Sequence, residues 1–313
     1  MRNLSRIDLK RVFVVFIAIA VILPFLTFAG NDKKIYVDDN AGSKQNGSAS
    51  HPYKTISKAL DKANKNSEIH VAKGEYKETL EVPKGVEIYG AGSDKTIIKS
   101  KDDGKSTIYL KGSATLVDLN IKSGKQGINV ANGGRVKVIN CKIEKNKANG
   151  IFITAASLDE SSQVMISETE ISNNGQNGIY SQQRNVIIYK SDIEENKSDG
   201  IYFEAGVRAW IGSTITKGNH GSGMVATLDR SQIFTKNNTY SNNKREGIEV
   251  NAYGVAGRID INKSKIRNSG NYAVARIERK PMNVSIWNGL TVQNTSFVLS
   301  NKGDVSGIFR IYN

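Results

Sequence analysis

Glu204, Glu249 and Arg276 are the residues of this 313-residue chain whose types and spacing suit acid–base chemistry on a sugar polymer. The two glutamates lie two repeats apart and could converge as an acid and a base. Arg276 could neutralise a uronate carboxylate or serve as the base of a lyase. Two outward rows surround them. The first reads Phe152, Tyr180, Tyr202, Val225, Glu249 and Val274; the second reads Thr154, Gln182, Glu204, Thr227, Asn251 and Arg276. Aromatic faces stack on sugar rings, while amides, carboxylates and guanidinium bond hydroxyls and acids. Phe152, Tyr180, Gln182, Tyr202 and Asn251 are therefore the candidate carbohydrate-binding set. The competing reading is that exposed Tyr and Phe simply pack along a strand face.

Other chemistry is thinner. His51 and His70 fall near the start, and Asn219-His220-Gly221 has no carboxylate beside it in sequence, so His220 reads as a solvated turn residue. No spacing suggests a metal set or a catalytic triad. Glu170 and Asp192, with Glu144 and Glu194 nearby, could take Ca²⁺ through oxygen ligands. Interleaved lysines favour a solvated face there, and no metal or cofactor is assigned. The single cysteine, Cys141, excludes an intrachain disulfide and reads as a buried, inert thiol.

The elements that must position these residues are repeats. One frame recurs: an apolar residue, Asn three later, Gly four after that, then another apolar residue. Four members are Ile143/Asn146/Gly150/Ile151, Ile171/Asn174/Gly178/Ile179, Ile193/Asn196/Gly200/Ile201 and Tyr240/Asn243/Gly247/Ile248; Thr216/Asn219/Gly223/Met224 is the fifth. The glycines recur at 28, 22, 23 and 24 residues, the period of a solenoid. Short alternating runs such as Val136–Val138 and Val186–Ile188 have strand periodicity and are punctuated by turn formers. Three short strands and three turns per repeat make one coil of a parallel β-helix.

Asn146, Asn174, Asn196, Asn219 and Asn243 are expected to be structural. Asn tolerates the left-handed backbone of a tight turn and can bond its neighbours in an amide ladder. Gly four later suits another bend. Inward rows are Val138, Ile166, Ile188, Ile211, Thr235 and Ile261, and Ile151, Ile179, Ile201, Met224 and Ile248. A row of small residues, Cys141, Thr169, Ser191, Thr214, Asn238 and Ser264, also points in. For the irregular sixth repeat, Asn268 as ladder residue and Tyr272 in the Gly position put Ala273, Ala275 and Ile277 inward and Val274, Arg276 and Glu278 outward. A further outward row, Lys137, Met165, Ile187, Trp210, Phe234 and Asp260, needs a cover such as the tail from Phe297, or else a ligand or another chain.

Formal net charge is +14, which points to anionic surroundings. Residues 1–30 read as a signal peptide or N-terminal membrane anchor: a basic start, then Val12–Ala29 apolar apart from Thr27. Either places the rest outside the cytoplasm. The remainder, 31–313, reads as one domain: a cap over about 35–66, coils over about 67–295 and a C-terminal cap over about 296–313. Ile56, Ala59, Leu60 and Ala63 have helical spacing, so Thr55–Ala63 is expected to be a short helix covering the open end of the stack.

The opening of the chain carries a resemblance. Asp38-Asp39, Pro52-Tyr-Lys-Thr-Ile56 with Ala59-Leu60, Ile69-x-Val71-x-x-Gly74-x-Tyr76-x-Glu78 and Gly85-Val86-x-Ile88-x-Gly90-x-Gly92 resemble the right-handed parallel β-helix proteins of the pectin-lyase-like superfamily. The later coils look like its generic repeat, and the likeness runs from Ile35 to about Gly307. It implies an all-β, single-stranded right-handed parallel β-helix with a short N-terminal capping helix. Its members include polysaccharide lyases, hydrolases and esterases as well as binding and structural proteins. The Asn-Thr-Asp of polygalacturonase-like enzymes, the Asp-Pro-His of alginate epimerases and the Gln and Asp pattern of pectin methylesterases are missing. The expectation is an exported protein that binds or processes an anionic carbohydrate polymer at or outside the cell envelope. If it is an enzyme, it is a lyase or hydrolase; the alternative is a non-catalytic surface-structural or protein-interaction solenoid. No nucleic-acid partner is expected, and a membrane only through 12–29 if that segment is retained.

Overall fold

The computed structural model describes residues 33–277, except 132, 253 and 255–256, and the backbone of four strands beyond, Gly289–Gln293, Ser296–Val298, Val305–Ser306 and Arg310–Tyr312. The expected leader at 1–30 and Glu278 lie outside the described residues. Among the described residues, no helix is long and apolar enough to cross a membrane.

Among the described residues, the alternating runs become strands of two to five residues that coil into three parallel sheets, one of twelve strands and two of ten. Each coil contributes one strand to each sheet. Val136–Ile139, Lys142–Glu144 and Ile151–Ile153 form one such coil, and each pairs in register with its equivalents one coil before and after. We call the three sides the first, second and third faces in that order. The result is a single right-handed parallel β-helix.

Alternation sorts the side chains as expected. Val138, Ile166, Ile188, Ile211, Thr235 and Ile261 are buried, and so are Ile151, Ile179, Ile201, Met224 and Ile248. The small row is buried too and bonds along the stack. Thr169 Oγ1 accepts from the Cys141 amide at 3.3 Å, and Asn238 Oδ1 accepts from the Thr214 amide at 2.8 Å. The Cys141 thiol is pushed up to about 12 by burial, the state of an inert side chain.

A helix, Ile56–Lys62, buries Ile56, Ala59 and Leu60 against the first coil. Thr55 caps it, accepting from the Lys58 amide at 3.2 Å. Glu78, from the coil beneath, accepts from the amides of Ile56 and Ser57, both at 2.8 Å. A carboxylate at the positive end of a helix satisfies two orphan donors and ties the cap to the stack.

The frame asparagines form a continuous buried ladder. From Asn146 to Asn243, each Nδ2 donates to the next Asn Oδ1 at 2.9–3.0 Å, and each backbone amide donates to the same oxygen at 3.1 Å. The second Nδ2 proton of Asn174, Asn196 and Asn219 goes to an Ile carbonyl one coil back, at 3.0–3.1 Å. The left-handed residue of this turn is not the ladder Asn. It is the one before: Lys145, Asn173, Glu195, Gly218, Asn242 and Asn268, with φ of +52° to +66°. The frame glycines answer a close approach rather than a bend. A Cβ on Gly150 would lie 2.7 Å from the Gly178 carbonyl oxygen and 2.8 Å from Asn174 Nδ2.

These columns correct the sixth repeat. Val274 pairs with Ile248, Ala275 with Glu249 and Arg276 with Val250. Ser269 holds the ladder position and Ala273 the glycine position, since a Cβ on Gly247 would meet the Ala273 oxygen at 2.6 Å and Ser269 Oγ at 3.0 Å. Asn268 belongs to the left-handed column and bonds Asn242 there, Nδ2 to Oδ1, at 2.9 Å. The register therefore shifts by one, and Val274 and Arg276 change sides.

The long 28-residue interval is a loop over 154–162, held from beneath by Arg184. That side chain is 0 % exposed. Its guanidinium donates to the carbonyls of Ser162 at 2.6 Å, Gly134 at 3.0 Å and Thr154 at 3.3 Å. Those carbonyl bonds fix the loop from the fold's interior, and burial lowers the guanidinium's affinity for its proton.

Candidate functional site

The first outward row exists as a register on the third face: Asn129, Phe152, Tyr180, Tyr202, Val225, Glu249. Parallel in-register strands bring identical positions one coil apart, so the rings stack on one another. Phe152 and Tyr180 have centroids 5.3 Å apart and planes 11° off parallel; Tyr180 and Tyr202 are 5.2 Å and 7°. Both faces of Tyr180 are thus covered by neighbouring rings. It presents an edge and a hydroxyl, and its expected role as a stacking platform for a sugar gives way to strand-face packing. The hydroxyl donates to Glu204. Burial, then that carboxylate, pushes the Tyr180 hydroxyl well above its ordinary value.

The second row divides. Glu204 is half-buried and engaged by Tyr180. Gln182 Oε1 accepts from the Ala155 amide at 3.2 Å and so braces the 154–162 loop. Thr227 and Asn251 are paired with one another in register and are buried, which removes Asn251 from a contact surface. Arg276 is not in this row. It continues the inward line of Phe203, Ala226 and Val250 and is half-buried. The expectation that Glu204, Glu249 and Arg276 share one outward site is corrected by that register.

Glu249 instead joins groups that the rows did not single out. The residue before each frame glycine forms a second column: Gln126, Asn149, Asn177, Asp199, Ser222 and Glu246. The first four side-chain oxygens each accept from the backbone amide of the next coil, Gln126 from Asn149 at 2.8 Å, Asn149 from Asn177 at 3.1 Å, Asn177 from Asp199 at 3.0 Å and Asp199 from Ser222 at 2.6 Å. Where the column turns acidic it meets the end of the aromatic row. Ser222 Oγ donates to Glu246 at 3.2 Å and lies 3.4 Å from Glu249 Oε2. Arg245 reaches Glu249 at 2.9 Å and Glu246 at 3.5 Å, and Asn271 Nδ2 donates to Glu246 at 3.0 Å.

Asp199, Glu246 and Glu249 are 7 %, 6 % and 4 % exposed. Burial raises the affinity of the Asp199 carboxyl for its proton; the Ser222 amide and Arg245 oppose this, and Glu246 adds to it. Burial also raises Glu249, opposed by Arg245 and reinforced by Glu246 and Asp199. Three carboxyls sharing one arginine cannot all be comfortable as anions in a low-dielectric setting. The arrangement suits a retained proton beside an ionised neighbour, the requirement of general acid–base chemistry. The signal in the sequence was available: the residue preceding each frame glycine.

Among the described residues, no group of three or more His, Cys, Asp or Glu is placed to hold a metal ion. Glu170 is engaged by Lys142 at 3.2 Å and by Ser172 at 2.8 Å. His220 is half-buried; burial lowers its proton affinity, and so do Lys244 and Lys197 beside it.

Comparison with known proteins matches this architecture. Residues 126–297 match the family described as right handed beta helix region, and the chain belongs to it. Residues 39–208 also match a family described as protein of unknown function (DUF1565). No curated protein matches the sequence. The fold is similar to that of an alginate lyase from Paenibacillus sp., at 14 % identity and TM-score 0.58, covering 82 % of this chain and 96 % of that one. It is similar to the A-module of an Azotobacter vinelandii mannuronan C-5 epimerase, at 15 % identity and TM-score 0.56, covering 89 % and 97 %. A Geobacillus virus E2 protein, ORF18, is similar at 13 % identity and TM-score 0.56, covering 98 % of this chain and 63 % of that one.

Proposed function

We propose that this protein binds and processes a carbohydrate polymer on its third face, with Asp199 and Glu249 as the acid–base pair. One observation carries the reading. The outward row Phe152–Tyr180–Tyr202 ends against a buried cluster of three carboxyls in which two hold their protons more tightly than usual. A polymer lying along the row would meet ring edges, the Tyr180 and Glu204 pair and then the acids. The protonated carboxyl would donate to the leaving oxygen and the ionised one would activate the attacking group. Arg245 would hold the second carboxyl as an anion. The similar folds named above include proteins whose names specify alginate and mannuronan, which supports a glycan by analogy of fold only. The +14 charge favours an anionic polymer, outside the cytoplasm if residues 1–30 direct export.

A second reading has its own observation. Each acid of the cluster is already bonded within the protein, to Ser222, Arg245 or Asn271, as in a face built only to bind. The deciding experiment incubates the protein with acidic and neutral polysaccharides and follows reducing ends, unsaturated products and retention on immobilised polymer. Turnover that disappears in Asp199→Asn and Glu249→Gln while retention persists is the expected result. Retention without turnover selects the binding module. Silence on every polymer by all three readouts overturns both.

A further inference from the structure

We propose that the corner between the second and third faces is a track for an anionic glycan, held parallel to the helix axis by two triplets of cations. Only the glycan class of this ligand rests on the third-face reading. The first triplet closes three successive strands of the second face. Lys77 pairs in register with Lys99, and Lys99 with Lys122. The column then carries Glu144, Ser172 and Glu194, and the cations move to the apex of the turn. There the residue after each ladder Asn donates its amide to a ladder carbonyl one coil back: Lys197 to Asn174, His220 to Asn196 and Lys244 to Asn219, each at 2.9 Å. Lys197, His220 and Lys244 therefore also stand one above another. Both triplets repeat at the coil spacing of about 4.8 Å.

Like charges stacked along a sheet repel, so neither triplet serves the fold's own stability. Among the described residues, none of the five lysines makes an ion pair. Nearby acids are engaged elsewhere: Glu144 lies 3.7 Å from Lys145 and 4.0 Å from Lys142, and Asp103 lies 2.5 Å from Lys147. Glu195 lies across Gly218, where a Cβ would meet its carboxylate. Burial, then Lys244 and Lys197, lowers the affinity of His220 for its proton, and Glu195 opposes them. The first-to-second corner, by contrast, mixes signs in its left-handed column, with Asp118 and Glu168 among Lys190 and Lys263. A polyanion would supply the counter-charges that the second-to-third corner omits. Lys77 and Lys244 are seven strand steps apart, about 34 Å, which favours an extended chain over a compact anion. Neither row holds a Phe, Tyr or Trp on which bases could stack, which favours a glycan over a single-stranded nucleic acid. The apex triplet also adjoins the acid column, since a Cβ on Gly221, next to His220, would strike Asp199 Oδ1. A chain on the track passes beside that acid.

Retention of the protein on immobilised polygalacturonate is expected to weaken about ten-fold in Lys99→Gln/Lys122→Gln, and likewise in Lys197→Gln/Lys244→Gln. Lys95→Gln/Lys263→Gln removes the same charge from the first-to-second corner and is expected to leave retention at the wild-type level. Urea midpoints report that each variant is folded. Equal weakening in all three would reduce the effect to net charge and overturn the track, and so would a loss confined to one of the two corner variants. Tighter retention on immobilised oligothymidylate, with the same dependence on the corner lysines, would overturn the glycan as its occupant. Failure of the third-face reading looks different. Retention lost in the corner variants while Asp199→Asn leaves turnover unchanged keeps the track and breaks that reading. Turnover lost in Asp199→Asn while the corner variants retain the polymer breaks the track alone.

Discussion

Two columns of polar side chains climb the same corner of the helix, three residues apart, and they differ in what they demand. In the inner column, each of Asn174, Asn196 and Asn219 accepts twice through Oδ1 and donates twice through Nδ2. Only a side-chain amide of that length supplies both, and the column is uniform. In the outer column, the side chains from Gln126 to Asp199 need only accept one backbone proton, and from the opposite neighbour. Gln126, Asn149, Asn177 and Asp199 all meet that demand. The outer column is free to vary, and it is there that acids appear.

Breaking the inner column should have the largest effect. Asn196→Ala strips partners from the Asn174 amides, the Ile171 carbonyl and Asn219 Oδ1 inside the fold. A loss of about 3–5 kcal/mol is expected from several buried unsatisfied groups, read as a shift of the urea midpoint. The outer column should respond in chemistry rather than stability. Asp199→Asn keeps an acceptor for the Ser222 amide, so the urea midpoint at neutral pH should hold or rise while turnover is lost. Because Asp199 is raised in the fold, its stabilisation is full below its unfolded value of 3.8 and declines as pH climbs through the folded value. Wild type should therefore lose stability from about pH 4 upward relative to Asp199→Asn, as urea midpoints across pH would show. The smallest effect is expected from Tyr180→Phe, which keeps the ring stack and removes one hydroxyl bond to Glu204. About 1 kcal/mol or less should be lost, with retention on the polymer reduced only modestly.

The contrast also explains what could be read in advance. The inner column has one residue type at one spacing, so the coil, its inward rows and the ladder follow from the sequence. The sixth coil misled because Ser269 and Ala273 replace Asn and Gly, while Asn268 offers a decoy. Asn is also favoured in the left-handed column, where Asn173 and Asn242 sit. The shift moved Arg276 from a candidate base to an inward position. Asp199 and Glu246 escaped notice because their column has no residue type to recognise. Tyr180 was placed correctly, but which face it shows depends on neighbours one coil away, and parallel register fills both sides.

Arg184 has a mechanical consequence. Its guanidinium grips the carbonyls of Thr154 and Ser162, the two ends of the 154–162 loop, and of Gly134 one coil earlier. A pull on that loop, for instance by a long polymer under tension, is spread over three stacked coils at once. The load meets many ladder bonds in shear instead of peeling one strand from an end. The rivet lets the helix carry an overhanging loop without making that loop its weakest link.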